Sequence, residues 1–193
     1  YKKLIELDNK NVEFPYNLGL AFLSTGQVAL AIEEFKKSIL IRRDYIDAYY
    51  KIAQCYKQQG LLDKAIENLV FALRINDKRE DIQFELGKLY LTNNQILSAV
   101  RELKKYTILM PNDATGYEYL VDAFYKNNEP QRAMEEYNKI LKLQPSVSDI
   151  ARIQQKIGDI YKTLGEYDKA TQNYQQAYEV SNKDVKLNNN LIL

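Results

Sequence analysis

Apolar residues in this chain fall into stripes of helical period, each about 14 residues long, and the stripes come in pairs. Within a pair the pattern breaks at Gly26, Gly60, Asn94, Asn128 or Gly165, residue types that tolerate a left-handed backbone at a helix end. Each pair therefore predicts a helical hairpin. Strands are not expected, because Val and Thr are scarce and no segment alternates apolar and polar residues with period two. The hairpins are copies of one unit. Ala31, Ala65, Ala99, Ala133 and Ala170 stand 34, 34, 34 and 37 residues apart, and a fixed period of this length marks a repeat architecture. Phased on these alanines, the units are 12–45, 46–79, 80–113, 114–147 and 148–184, the last carrying the insertion Ser148, Asp149, Ile150.

Other slots repeat with the alanine. Eighth in each unit stands Gly19, Ala53, Gly87, Val121 or Gly158, twelve residues before the alanine. Two small residues facing each other would let the helices of a hairpin approach closely. The eleventh slot is aromatic throughout (Phe22, Tyr56, Tyr90, Phe124, Tyr161), four residues after Leu18, Ile52, Leu86, Leu120 and Ile157, so both sets share one helix face and predict the core. Irregularities sit on this frame. Tyr106 and Ile140 occupy a slot held by Ala72 and Ala177, and Val121 replaces a small residue, so units three to five are expected to stack less regularly. Pro15 should shorten or bend the first helix by pushing Phe14 out of the helical region. Pro130 fits a first helical turn. Ser148 predicts an N-cap that starts the first helix of unit five nearly one turn early.

The pattern resembles the tetratricopeptide repeat, through Leu18-Gly19, Phe22, Ala31 and Phe35 in the first unit and Ile157-Gly158, Tyr161, Gly165, Ala170, Tyr174 and Ala177 in the fifth. Pro111 and Pro145 stand at that family's proline slot. The resemblance implies an all-α fold, a right-handed α-solenoid of antiparallel helix pairs. It also extends to the ends. Tyr1 and Leu4 match the second helix of a truncated preceding repeat over 1–11, and Asn188, Leu191 and Ile192 match the start of a following or capping helix over 185–193. The chain is thus expected to be a fragment of a longer one.

By the same resemblance, the first helices line a concave groove that takes a peptide or helix of a protein partner, and the chain is a non-enzymatic interaction scaffold. The groove would have an aromatic part, Tyr16, Tyr50 and Phe84 with Leu20, Leu23 and Leu91, beside Asn17, Lys51, Gln54, Lys57 and Lys88. Its second part would be charged, with Glu118, Asp122 and Tyr125 and the cations Lys126, Arg152, Lys156 and Lys162. The functional reading makes the rings anchors and the charges a register device. The plainer reading makes the rings a cover for the groove floor and the charges a solvated face. A carboxylate clamp for the acidic tails of heat-shock chaperones does not fit, because the leading positions hold Tyr16, Leu20, Tyr50, Gln54, Phe84 and Lys88. Two alternatives remain open: a repeat segment that presents substrate within a larger enzyme or a cell-envelope or secretion assembly, and head-to-tail self-association through Leu4, Ile5, Leu191, Ile192 and Leu193.

Charge and composition narrow the chemistry. With 27 basic and 26 acidic residues the net charge is +1, which lacks the electrostatic footprint of a nucleic-acid binder. Dibasic steps such as Lys36-Lys37 and Lys104-Lys105 form no continuous stripe. No apolar run approaches the ~18 residues that span a bilayer. There is no histidine and one cysteine, Cys55, so an internal disulfide, a histidine proton shuttle and the usual Cys/His zinc site are not expected. Cys55 falls on a core stripe and reads as packing, not as a nucleophile. Acidic pairs such as Glu33-Glu34 and Glu135-Glu136 read as helix surface. No Gly-rich phosphate loop is present, and no cofactor or metal is implied.

Overall fold

A computed structural model describes residues 11–190, with side chains to residue 182. The segment expected as a preceding second helix, and Leu191 to Leu193, fall outside the described residues apart from Asn11. The described residues form helices and turns with no strand. In chain order the helices are α1 Glu13–Ser24, α2 Val28–Ile41, α3 Ile46–Gln58, α4 Leu62–Ile75, α5 Glu80–Thr92, α6 Ile96–Leu109, α7 Ala114–Lys126, α8 Pro130–Lys142, α9 Val147–Thr163 and α10 Tyr167–Asn190. They fall into two compact units, one ending at Leu109 and the other starting at Met110.

The turn inside every hairpin is the same. Gly26, Gly60, Asn94, Asn128 and Gly165 all have positive φ, between 56° and 75°. The following N–H closes the helix by donating to the eleventh-slot aromatic: Gln27 N to Phe22 O at 2.9 Å, Leu61 N to Tyr56 O at 2.9 Å, Gln95 N to Tyr90 O at 2.8 Å, Glu129 N to Phe124 O at 2.9 Å, and Glu166 N to Tyr161 O at 2.9 Å. With the N–H of the positive-φ residue donating three residues back, this is the Schellman closure, and it satisfies carbonyls that a helix end would otherwise leave open.

In the first unit, α1/α2, α3/α4 and α5/α6 are the antiparallel pairs. Ala31, Ala65 and Ala99 are fully buried. A Cβ on Gly19 would lie 2.6 Å from Phe35 Cε1, and one on Gly87 would lie 2.7 Å from Leu103 Cγ. The missing side chain makes room for a large residue at the twenty-fourth slot. Phe35 and Leu103 are completely buried there. Cys55 belongs to the core cluster with Phe35, Ala48 and Ile52, and burial pushes its thiol pKa up. Tyr106 is buried, with its ring stacked on Phe84 at 4.6 Å between centroids.

Pro15 does not push Phe14 out of the helix. Helix α1 begins at Glu13 and contains both residues, because a proline in the first turn removes an N–H that has no intrahelical acceptor. The helix does start one slot later than α3, α5 and α7.

In the second unit α7 pairs with α8, which opens on Pro130, and α9 pairs with α10. Val121 and Ile140 are buried. A Cβ on Gly158 would lie 2.7 Å from Tyr174 Cε1, the same eighth-to-twenty-fourth relationship. Helix α9 begins at Val147, one turn before the alanine phasing, but its N-cap is Ser146, not Ser148. Asp149 N donates to Ser146 Oγ at 3.2 Å, and Ser146 Oγ donates to Asp149 Oδ2 at 2.6 Å. Serine and an acid three residues later form a reciprocal cap; Ser148 is followed at that distance by Ala151. Helix α10 runs unbroken from Tyr167 to Asn190, so the expected division after residue 184 falls inside one helix.

Candidate functional site

The first helices carry the expected binding residues, and each compact unit presents its own set. In the first unit α3 supplies Tyr50, Lys51, Gln54 and Lys57, and α5 supplies Phe84 and Lys88. Their organising group is one the sequence reading missed, Glu85. Lys57 Nζ donates to its Oε1 at 2.5 Å and Lys88 Nζ to its Oε2 at 2.9 Å. Burial pushes the Glu85 carboxyl up, but the hydrogen bonds from Lys57 and Lys88 outweigh it and hold the pKa below the usual range. Tyr50 is raised by burial and then by Glu85 and Asp81. Lys51 Nζ reaches Gln54 Oε1 at 3.1 Å, while Lys88 Nζ lies 5.0 Å from the centre of the Phe84 ring. Lys57 and Lys88 are therefore held in place on Glu85, with Lys88 beside the Phe84 ring.

Earlier in the unit the expected groove residues are partly core. Tyr16 packs 5.5 Å from Phe35 and edge-on to Tyr45 at 5.1 Å between centroids. Leu20 and Leu23 pack against the same buried cluster, and Asn17 is half-buried. Leu91 is a correction: it is 6% exposed, so this apolar side chain is covered and offers no accessible anchor. Tyr16 is half-buried, with part of its ring spent on core neighbours.

A second missed set stands at the helix entrances. Arg79 grips Asp81 through Nε and Nη2, each at 2.9 Å, and reaches Asp47 Oδ1 through Nη1 at 3.0 Å. Tyr45 occupies the matching position in the preceding hairpin and donates to Glu13 at 3.1 Å. Both pairs join residues 32 apart, the second and thirty-fourth slots of a unit. A cross-check of those slots for complementary groups would have found them.

In the second unit, α7, α8 and α9 enclose a cleft of about 520 Å³ that contains Glu118, Asp122 and Tyr125 together with Arg152, Lys156 and Asp159. Arg152 bridges two acids, reaching Glu118 Oε1 at 2.6 Å and Asp149 Oδ1 at 3.1 Å. Asp149 is an inserted residue, so the break in the period helps to position a cation in the cleft. Its carboxyl is lowered by Ser146 and by Arg152. Asp122 pairs with Lys126 at 3.2 Å, and Asp159 accepts from Tyr174 Oη at 2.9 Å. Burial pushes the Tyr125 hydroxyl up to about 12, with Tyr137 and Asp159 adding to it. Carboxylates and cations thus alternate around the aromatic surface of the cleft. Among the described residues no cluster of three or more His, Cys, Asp or Glu is placed to hold a metal ion, and no helix is long and apolar enough to cross a membrane.

Sequence profiles described as tetratricopeptide or TPR repeats match residues 19–60, residues 46–79 and 151–184, and residues 84–148. The chain belongs to the tetratricopeptide repeat family. As a tetratricopeptide chain it has the α-solenoid fold of helix pairs. The solved structure of MamA superposes with a TM-score of 0.76 at 23% identity, covering 91% of this chain and 94% of that one. YrrB, described as a TPR protein with an unusual peptide-binding site, gives 0.76 at 18% identity over 93% and 91%. Among curated proteins, human DnaJ homolog subfamily C member 3 is 22% identical over 187 residues, 88% of this chain and 36% of that protein. The Arabidopsis thaliana protein CTR9 homolog is 30% identical over 122 residues, 60% of this chain and 11% of that protein. The tetratricopeptide chain thus spans well under half the length of these relatives.

Proposed function

We propose that this tetratricopeptide chain is a non-enzymatic scaffold that binds a peptide or helix of a protein partner on the face made by its first helices. Family membership supports an interaction scaffold in general terms. The observation that carries the finer reading is the α3–α5 face, where Tyr50 and Phe84 stand beside Lys57 and Lys88 locked onto one half-buried Glu85. Rigid rings supply contact area at little entropic cost, and fixed charges set the register of a ligand. The cleft around Tyr125 and Arg152 offers the second unit's own version of the same chemistry. A binding role also suits Cys55, whose buried thiol is pushed away from the thiolate form.

The test is partner capture by the wild-type chain against Tyr50→Ala and Lys57→Glu, with helicity followed by circular dichroism. Loss of the same captured protein in both variants, with helicity unchanged, is the expected result. Recovery of identical proteins by all three baits would reject the face as a binding surface. Phe84→Ala is a poorer probe, because it also strips the stacked neighbour of the buried Tyr106.

A further inference from the structure

A cleft of the first unit lies on the second-helix side, between α4 and α6, away from the ring-and-lysine face. It measures about 540 Å³, within the range of sites that hold a ligand of several side chains. Its floor is α5, with buried Leu86 and Tyr90, and its walls are apolar, with Val70 and Leu73 on one side and Ile108 and Leu109 on the other. Ile108, at the lip of the cleft, is 78% exposed.

The lip is cationic. Arg74 and Lys78 stand on the α4 side, Arg101 and Lys105 on the α6 side. They face two acids, Asp77 and Glu102, and Glu102 is only 4% exposed. Its oxygens accept from Arg101 Nε at 2.6 Å, from Lys105 Nζ at 2.9 Å and from the buried Gln83 amide. One sunken carboxylate therefore holds two cations at the mouth while presenting almost no negative surface itself. Arg101 is engaged through Nε, so its Nη nitrogens are not spent on Glu102, and an ammonium has three donors. An apolar trough edged by cations with capacity left for acceptors fits one chemistry.

We infer that the α4–α6 cleft is a second docking site, for an acidic segment of another protein that inserts two or three apolar side chains between Leu73 and Ile108 and sets carboxylates against Arg74, Arg101 and Lys105. Nucleic acid is the competing occupant of a cationic lip, but the trough is aliphatic and lacks the exposed ring stack that bases require.

The experiment titrates a fluorescein-labelled twelve-residue peptide, with leucines at i, i+3 and i+4 among aspartates and glutamates, into the full chain. Anisotropy reports binding, and amide chemical shifts report the location. Saturable binding, with shifts at Val70, Leu86 and Ile108, is expected. Arg74→Glu combined with Ile108→Asp, both on exposed positions, should weaken it by about tenfold or more, whereas Tyr50→Ala should leave it unchanged. That separates this site from the first-helix face, whose failure in partner capture would not touch the result. The inference is overturned by no saturation at millimolar peptide, by equal binding of the counterpart with lysines in place of the acids, by shifts confined to α3 and α5, or by tighter binding of a uridine dodecamer that ignores Ile108→Asp.

Discussion

Gly158 lies so close to Tyr174, sixteen residues along the chain, that a Cβ on the glycine would sit 2.7 Å from ring carbon Cε1. The same contact joins Gly19 to Phe35 and Gly87 to Leu103. Whether an added methyl is tolerated depends on the neighbour's freedom to move. Phe35 and Leu103 are fully buried, while Tyr174 is half-buried and anchored to Asp159. Alanine at Gly19 or Gly87 should cost about 1–2 kcal/mol net, overpacking outweighing the helix propensity gained. Gly158→Ala should cost less. In urea titrations, Phe35→Leu placed on Gly19→Ala should recover stability relative to additive losses; additivity would mean that the two positions are uncoupled.

Glycine at the turns has a different cause. Around Gly60 there is no atom within 4 Å of an added Cβ, but φ is 74°. Gly60→Ala should therefore cost about 1–2 kcal/mol through backbone conformation alone. The converse holds at Gln144, which adopts φ of 55° just before Pro145. Gln144→Gly should stabilise the chain by roughly 1 kcal/mol, seen as a rise in the urea midpoint without a change in slope. A lower midpoint would show that the glutamine side chain contributes more than its strain costs.

The hairpins, their breaks and most of the core were legible because each rests on local chemistry repeated five times. Period, aromatic slot and left-handed turn reinforce one another from unit to unit. What escaped notice were relationships between slots. The eighth-slot glycine by itself does not show that the bulky residue sixteen positions on fills the space beside it. Glu85 was overlooked because its role depends on Lys57 from a different hairpin. Leu91 looked exposed from helical phase, yet phase alone does not say what covers a face. Ser146 was recoverable: it follows Pro145 and stands three residues before Asp149, whereas Ser148 has no such acid.

Slot 23 holds buried Glu34, Glu102 and Glu136, each paired with a lysine three residues later. Glu102 also receives the buried Gln83 from slot four. In the first unit that slot is Pro15, which has no side-chain donor, and Glu34 Oε2 is buried without a hydrogen-bond partner. Orphaned buried oxygens cost free energy, and apolar replacement of a poorly satisfied buried ion is often neutral or stabilising. Glu34→Met should therefore be neutral or stabilising by about 1 kcal/mol, and Glu102→Met should destabilise by about 2 kcal/mol. Equal effects in chemical denaturation would break the link to slot four.

Acid should act through the same groups. Burial pushes Glu102 up, but Arg101, Lys105 and Gln83 outweigh it and lower its pKa, and Glu85 is lowered by Lys57 and Lys88 against burial. A carboxyl with a folded pKa below its unfolded value of about 4.3 binds protons more readily when unfolded, so stability rises with pH through this range. The contribution is complete above about pH 5 and fades as pH falls through the lowered folded values. Denaturation midpoints should be flat from pH 5 to 7 on this account and fall below about pH 4. Glu102→Gln should lower the plateau and shallow the acid limb; a wild-type acid limb in that variant would remove Glu102 from the explanation.

The inserted residues link stability to binding in the second unit. Asp149 both caps α9 with Ser146 and holds Arg152, which also bridges to Glu118. These groups are exposed, so the ion pair itself contributes little to folding, and Asp149→Ala should cost only about 1 kcal/mol, mainly through the cap. Its larger effect should be on ligand binding, because Arg152 loses one of the two carboxylates that fix its position in the cleft. Ser146→Ala supplies the control: it weakens the cap but leaves Asp149 in place. If the cleft takes part in partner binding, Asp149→Ala should change affinity by about three- to tenfold at low salt, with a smaller effect at high salt. Ser146→Ala should change affinity less, at comparable loss of stability. Equal affinities for both variants, measured by calorimetry with the captured partner, would make the insertion a helix cap with no part in recognition.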